Sequence, residues 1–230
     1  MVRQIEDGAA GRAEAIQSLR AGGVVAIPTD TVYGIAVALE TPGGIERLFA
    51  AKSRPPDKAI ALLLADADQA AEIGVLTPAA TALANAFWPG GLTLVVPRRT
   101  DRELPAALTG GALAPGAIPT IGLRVPDHPA PRALARALGP LPTTSANRSG
   151  EPELRDAAAI EATLGASLDL ILDGGPSGGG PSSTVVDCTG EAPVVVREGA
   201  IAADEIERVV AGARDAGAQE AGSSSSGRST

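Results

Sequence analysis

Short apolar runs, each stopped by proline, glycine or a polar residue and separated by alanine-rich stretches, most constrain what this chain can fold into. Val24 to Ile27, Ile60 to Leu64, Leu92 to Val96, Ile121 to Val125 and Leu168 to Leu172 are too short for core helices, so they read as buried strands. Thr184 to Asp187 and Val194 to Val196 read as a closing hairpin. Residues 9–21, 45–51, 130–138 and 201–210, and Asp156 to Leu164, read as helices, the first ended by Gly22-Gly23. Asp66 and Thr77 are expected N-caps, the latter followed by Pro78 at the first helical position. Strands and helices alternate irregularly, which predicts an α/β fold with a mixed sheet rather than a strict doubly wound one. Only 2% of the residues are aromatic against 44% hydrophobic, so Ala, Val, Leu and Ile must build the core.

The segments between these elements differ in kind. Pro142 to Asn147 is expected to leave a strand into a hydroxyl-rich turn, and Gly174 to Pro181 cannot be a regular element. Arg98 to Pro119 is a long loop rich in Gly, Pro and Ala, of a length usually tied to function. From Ala211 the composition turns to Gly, Ser and Ala. This predicts one domain over residues 1–210 and a flexible tail over 211–230.

Composition removes several function classes. A net charge of −8 argues against a broad nucleic-acid surface but leaves room for a local cationic pocket. One cysteine, Cys188, excludes an internal disulfide and suits a reducing cytoplasm; its valine-rich surroundings predict a buried, inert thiol. One histidine excludes a multi-histidine metal site, and the spacings of structural zinc are absent. His128, within Pro126-Asp127-His128-Pro129, reads as an exposed loop residue rather than a general base. No apolar run approaches ~18 residues and no signal pattern opens the chain, so a cytoplasmic protein without membrane contact is expected.

The positive charge is distributed unusually. Among 19 basic residues only Lys52 and Lys58 are lysines, and they flank Arg54 in Lys52-Ser53-Arg54-Pro55-Pro56-Asp57-Lys58. Cations on a proline-stiffened loop suit a polyphosphate or carboxylate ligand, although a helix C-terminus also favours basic residues through its dipole. Further polar clusters fall at strand ends: Pro28-Thr29-Asp30-Thr31-Val32-Tyr33-Gly34, Thr120 with Arg124, Thr143 to Asn147, Ser182 to Thr184, and Arg197. Each has a structural alternative. The Thr143 hydroxyl run can satisfy backbone groups. Arg124 is either an edge residue or a buried charge needing an anion. Tyr33 can pack with its hydroxyl at the surface, and Arg197 can pair with Glu198 or Asp187. No triad and no phosphate-binding glycine loop between a strand and a helix is present. Cations and hydroxyls together suit phosphoryl or nucleotidyl transfer, where positioning and charge stabilisation dominate catalysis.

PTDTVYG at 28–34, KSRPPDK at 52–58, WPGGLT at 88–93, TIGLRVPDHP at 120–129, TTSANRSGEP at 143–152, STVVD at 183–187 and Arg197 together resemble the YrdC-like family, the L-threonylcarbamoyladenylate synthases, in its short single-domain form. The resemblance implies a twisted mixed sheet with flanking helices around a concave, positively charged groove. It implies that L-threonine and bicarbonate give a carbamate that attacks the α-phosphorus of ATP, with Mg²⁺ accompanying the nucleotide and pyrophosphate leaving. The adenylate would pass to partner proteins that modify tRNA, with at most weak contact to tRNA itself. By matching position, Thr31, Arg124, Thr143 and Ser183 would hold threonine. Lys52, Arg54, Lys58, Thr120, Ser145, Asn147 and Arg197 would surround ATP, with Lys52 and Arg54 stabilising charge during catalysis. The loop 98–119 would close over the intermediate. Leu63, Ser182 and Glu153 depart from the family's pattern, where histidine, glutamate and a small residue often stand. Carbamoyl-adenylate chemistry and a non-catalytic RNA-binding module are the alternatives, the latter disfavoured by the acidic charge and few aromatics.

Overall fold

A computed structural model describes residues 1–53, 60–105, 108, 117–178 and 180–225, the side chains of the last helix only to residue 215. The chain begins with β1 (Arg3–Glu6), α1 (Ala9–Arg20), β2 (Val25–Ile27), β3 (Gly34–Ala36) and α2 (Gly44–Lys52). Then come β4 (Ala61–Leu63), α3 (Asp68–Ile73), α4 (Pro78–Phe87), β5 (Leu92–Pro97), β6 (Thr120–Arg124) and α5 (Pro129–Leu138). The remainder is β7 (Leu141–Ser145), α6 (Ala157–Leu164), β8 (Leu170–Asp173), β9 (Thr184–Asp187), β10 (Val194–Arg197) and α7 (Ala203–Ser225).

The ten strands among the described residues belong to one sheet in the order β1-β8-β2-β3-β7-β4-β6-β5-β9-β10. Pairing is parallel for β1/β8, β2/β8, β4/β6 and β5/β9 and antiparallel for the other pairs, so the sheet is mixed as the irregular alternation predicts. Because successive side chains point to opposite faces, each strand feeds two cores. On one face Val25, Ile27, Ala36, Leu63, Leu141, Leu170 and Leu172 pack with Ala15 and Leu19 of α1 and Ala130 and Leu134 of α5. On the other, Ile35, Leu62, Leu94, Leu123 and Val186 pack with buried residues of α2, α4, α6 and α7. Nearly every buried apolar residue is Ala, Val, Leu or Ile, the exceptions being few, Tyr33 and Phe49 among them.

Thr77 caps α4 by accepting from Ala80 N at 3.1 Å, and Asp156 caps α6 through Ala159 N at 2.8 Å. Four expectations need correction. Asp66 is not the N-cap of α3, whose cap is Ala67; it stands one residue earlier, its carboxylate accepting at 3.3 Å from Gln69 N in the first turn of the helix. Thr143 to Ser145 lie on β7 rather than in a turn, because β3 pairs with all three and β4 with Thr143 from the other side, and the β-branched Thr143 and Thr144 suit a strand. The backbone from Ala211 continues α7 to Ser225, since Ala211, Ala213, Ala216, Ala218 and Ala221 have the highest helix propensity and outweigh the glycines. His128 is half-buried and caps α5, its Nδ1 accepting from Ala130 N at 3.2 Å, with burial holding its pKa below the ordinary imidazole value. The loop 98–119 is pinned at its root, where Arg98 N donates to Pro119 O at 2.7 Å. Residues 106–107 and 109–116 lie outside the described residues, as does that part of the expected closure.

Candidate functional site

Among the described residues, the face covered by α1 and α5 is not covered along its whole length. Beyond Ala36, Leu63 and Leu141, the same-facing positions turn small or polar: Gly34, Ala61, Thr143 and Ser145, continued by Thr120, Gly122 and Arg124 on β6 and Thr93 and Val95 on β5. A cavity of about 270 Å³ occupies this stretch, closed further by Thr31, Ser183 and Arg197. Gly34 makes the approach of β3 and β7 possible: a Cβ there would stand 2.7 Å from Thr143 Cγ2.

Arg124 is 6% exposed and held on three sides. Nε donates to Gly90 O at 3.0 Å, Nη1 to Thr31 Oγ1 at 3.0 Å and Nη2 to Asp30 Oδ1 at 2.7 Å. A guanidinium has five N–H groups, so two remain for a ligand among the described residues. Burial lowers its pKa; Asp30 opposes the shift and the positive charge of Arg197 adds to it. The turn that presents Thr31 is tied by its own hydroxyls, with Thr29 Oγ1 donating to Val32 O at 2.6 Å and lying 3.2 Å from Thr31 Oγ1. Thr143 Oγ1 donates back to Leu141 O at 2.9 Å. Across the cavity, Ser183 Oγ lies 2.8 Å from Thr93 Oγ1, and Arg197 Nη2 donates to Ser183 O at 2.8 Å.

Lys52 is interior, and α2 delivers it to the end of β7. Its Nζ donates to Ser145 O at 2.5 Å, Asn147 Oδ1 at 2.8 Å and Ser145 Oγ at 3.2 Å. Ser145 Oγ donates to Asn147 Oδ1 at 2.6 Å, and Asn147 Nδ2 to Glu151 O at 2.5 Å. Ser145 reaches the cavity, whereas Lys52 and Asn147 stand behind it. Thus Thr31, Thr120, Arg124, Thr143, Ser145, Ser183 and Arg197 converge on one space, and Lys52 and Asn147 support its wall. Arg54 and Lys58 lie outside the described residues.

Several single residues resolve differently from their alternatives. Tyr33 is buried, and its hydroxyl is not at the surface: it donates to Gly175 O at 2.7 Å and accepts from Gly174 N at 2.9 Å. Arg197 pairs with Ser183 rather than with Glu198 or Asp187. Cys188 is buried in the core, which pushes its thiol up to about 11. Leu63 and Ser182 line the cavity, while Glu153 does not. Sequence reasoning missed Thr93 and Asp30, although both stand inside the motifs quoted above; the signal available was a polar residue at a strand start and an acid beside Thr31. No described helix is long and apolar enough to cross a membrane.

A Sua5/YciO/YrdC family model, described as telomere recombination, matches residues 17–199. The chain is 36% identical over 200 residues to the threonylcarbamoyl-AMP synthase of Bacillus subtilis, covering 86% of this chain and 56% of that protein. It superposes on Pyrococcus abyssi Sua5 complexed with L-threonine with a TM-score of 0.81 and 31% identity, covering 91% of this chain and 60% of the other. For Escherichia coli YciO the TM-score is 0.74 at 30% identity, covering 86% and 95%. The chain therefore spans little more than half the length of the Bacillus relative.

Proposed function

The chain belongs to the Sua5/YciO/YrdC family, and on that premise we propose that it is an L-threonylcarbamoyladenylate synthase, making L-threonylcarbamoyl-AMP from L-threonine, bicarbonate and ATP in the cytoplasm. What supports this is a single cavity with two kinds of lining. One part, Thr31, Arg124, Thr143 and Ser183, suits a small hydroxy acid. The other, Thr120 and Ser145 backed by Lys52 and Asn147, suits a nucleotide.

In this reading Arg124 pairs with the threonine carboxylate through its two remaining N–H groups, a charge-assisted contact that fixes orientation. Thr31 and Ser183, themselves held by hydrogen bonds, position the amino acid so that a carbamate oxygen faces the α-phosphorus. Attack forms the O–P bond as pyrophosphate leaves. Arg54, Lys58 and Arg197 stabilise the phosphate charge, and Lys52 fixes the wall that carries Ser145. Alignment of two bound reactants and fixed positive charge accounts for most of the expected acceleration. Among the described residues, no group of three or more His, Cys, Asp or Glu side chains could hold a metal ion. Hydroxyls and guanidinium groups suit phosphate oxygens, so Mg²⁺ would be carried by the triphosphate and water and would neutralise phosphate charge. The product would go to partner proteins that modify tRNA, with weak tRNA contact at most.

The test is to incubate the chain with ATP, bicarbonate and either threonine or serine and identify the nucleotide product by mass spectrometry. A threonylcarbamoyl adenylate is expected; AMP or ADP alone would overturn the reading.

A further inference from the structure

The two strand neighbours of Arg124 differ in chemistry. On one side β4 runs parallel to β6 and sets Leu63 level with Arg124. On the other, β5 runs antiparallel to β6 with Leu94 opposite Leu123, so Thr93 is the next position along and stands beside Arg124. Residues level on paired strands share a face, and all three line the cavity. An aliphatic wall therefore flanks the arginine on the β4 side and a hydroxyl on the β5 side.

Packing fixes both flanks. Leu63 is buried, level with Leu141 of β7 on its far side and part of the core beneath α1 and α5. Thr93 is buried too, and its Oγ1 lies 2.8 Å from Ser183 Oγ. One hydrogen bond between two hydroxyls engages one of their two protons and leaves the second for a ligand. Thr143 differs, because its only hydroxyl proton goes to Leu141 O at 2.9 Å. Thr31 Oγ1 already accepts from Arg124 Nη1 at 3.0 Å and adjoins Thr29 Oγ1 at 3.2 Å. The Thr93–Ser183 pair is thus the hydroxyl group supplied to donate to a ligand oxygen.

Threonine carries one group for each flank on its Cβ, a methyl and a hydroxyl. Resting on the synthase reading, we propose that the cavity reads the configuration of that carbon: the methyl packs on Leu63 and the hydroxyl bonds to the Thr93–Ser183 pair. Leu63 is then a specificity-determining residue, and Thr93 positions the Ser183 hydroxyl. L-allo-threonine has the two groups exchanged. Its hydroxyl would meet Leu63 and its methyl would meet the pair, leaving polar groups on both flanks without partners. L-serine lacks the methyl and leaves a gap against Leu63. L-2-aminobutanoate lacks the hydroxyl and leaves the pair without its acceptor.

The experiment measures pyrophosphate release by the full chain with ATP and bicarbonate, varying each of these amino acids in turn. The kcat/KM for L-threonine should exceed that for L-serine by roughly 10- to 200-fold, the range for one methyl in an apolar pocket. It should exceed those for L-allo-threonine and L-2-aminobutanoate by at least about 100-fold, since buried groups built to bond a hydroxyl reject its absence more strongly. Leu63→Ala should bring L-serine close to L-threonine. Thr93→Val keeps the shape and removes the hydroxyl; it should collapse the preference for L-threonine over L-2-aminobutanoate, and Thr93→Ser should restore it. A purely structural loss would lower all the substrates alike and leave their ratios unmoved. Equal use of L-threonine and L-allo-threonine, or ratios unchanged in either Leu63→Ala or Thr93→Val, overturns the proposal. If Leu63→Ala fails to fold, the L-allo-threonine ratio of the unaltered chain and the two Thr93 variants decide it. A chain that makes adenylates from all of these amino acids equally well overturns this inference only, whereas one that makes none overturns the synthase reading.

Discussion

Lys52 and Asn147 meet in the interior: the lysine ammonium donates to Asn147 Oδ1 at 2.8 Å across 95 positions of sequence, with Lys52 only 1% exposed. The pair joins the end of α2 to the segment after β7, where Ser149 N also donates to Lys52 O at 3.1 Å. Two motifs far apart in sequence therefore form one support for Ser145.

Lys52→Met keeps most of the side-chain volume and removes the charge; Asn147 Oδ1 keeps Ser145 Oγ and Ser145 O keeps Asn147 N, but each loses its charged donor. A loss of roughly 1.5–3 kcal/mol is expected, as for a buried hydrogen bond to a charged group. Chemical denaturation checks it. Pyrophosphate release should fall as well, because Ser145 loses its orientation. An unchanged midpoint would contradict the supporting role.

Arg124→Lys preserves charge but not the planar fork that reaches Gly90, Thr31 and Asp30 together. The KM for L-threonine should rise at least about tenfold, the effect of losing one charged hydrogen bond. The KM for ATP should change little. Steady-state kinetics with each substrate varied separates the two, and equal changes in both would argue against a threonine-specific contact.

Gly34→Ala places a methyl 2.7 Å from Thr143 Cγ2, between paired strands and at the cavity wall. Threonine is stiff at χ1, so the strand must shift rather than the side chain. Overpacking of this kind costs roughly 1–3 kcal/mol. Thermal unfolding measures the loss, and a weaker affinity for threonine should accompany it.

Tyr33 predicts a change at alkaline pH. Its folded pKa is raised to about 12, chiefly by burial, above the ordinary value of 10.0. The neutral phenol is the form favoured on folding, so its contribution to stability is complete below about pH 10 and is lost as pH climbs towards 12. Tyr33→Phe should flatten that alkaline decline in unfolding free energy. It should also cost about 1 kcal/mol at neutral pH through the lost bonds to Gly174 and Gly175. A variant that declines with pH as steeply as the original would assign the titration to another group.

Much of the fold was legible because proline and glycine punctuate it. Val25–Ile27 stops at Pro28, Thr77 and Pro78 open α4, and Gly22 and Gly23 follow α1. β1 was not legible, since Arg3-Gln4-Ile5-Glu6 is a mostly polar edge strand without an apolar signal. β3 was hidden because Gly34-Ile35-Ala36 is short and owes its conformation to β2 and β7 on either side. The continuation of α7 past Ala211 was masked by glycine and serine. At the site, residue types disclosed the chemistry but not the depth. Nothing in a row of letters says that Lys52 stands behind Ser145, or that Asp30, Gly90 and Thr31 together anchor Arg124 at the cavity wall. Those facts depend on which sheet face the helices leave open.

The central claim is that one cavity aligns a threonine-derived carbamate with the α-phosphorus of ATP. Exchange of radiolabelled pyrophosphate into ATP tests it most directly, because exchange requires the adenylate to form reversibly in the site. The account predicts exchange that needs threonine and bicarbonate together and disappears in Arg124→Ala. Exchange that proceeds without threonine, or none under any combination of substrates, would contradict it.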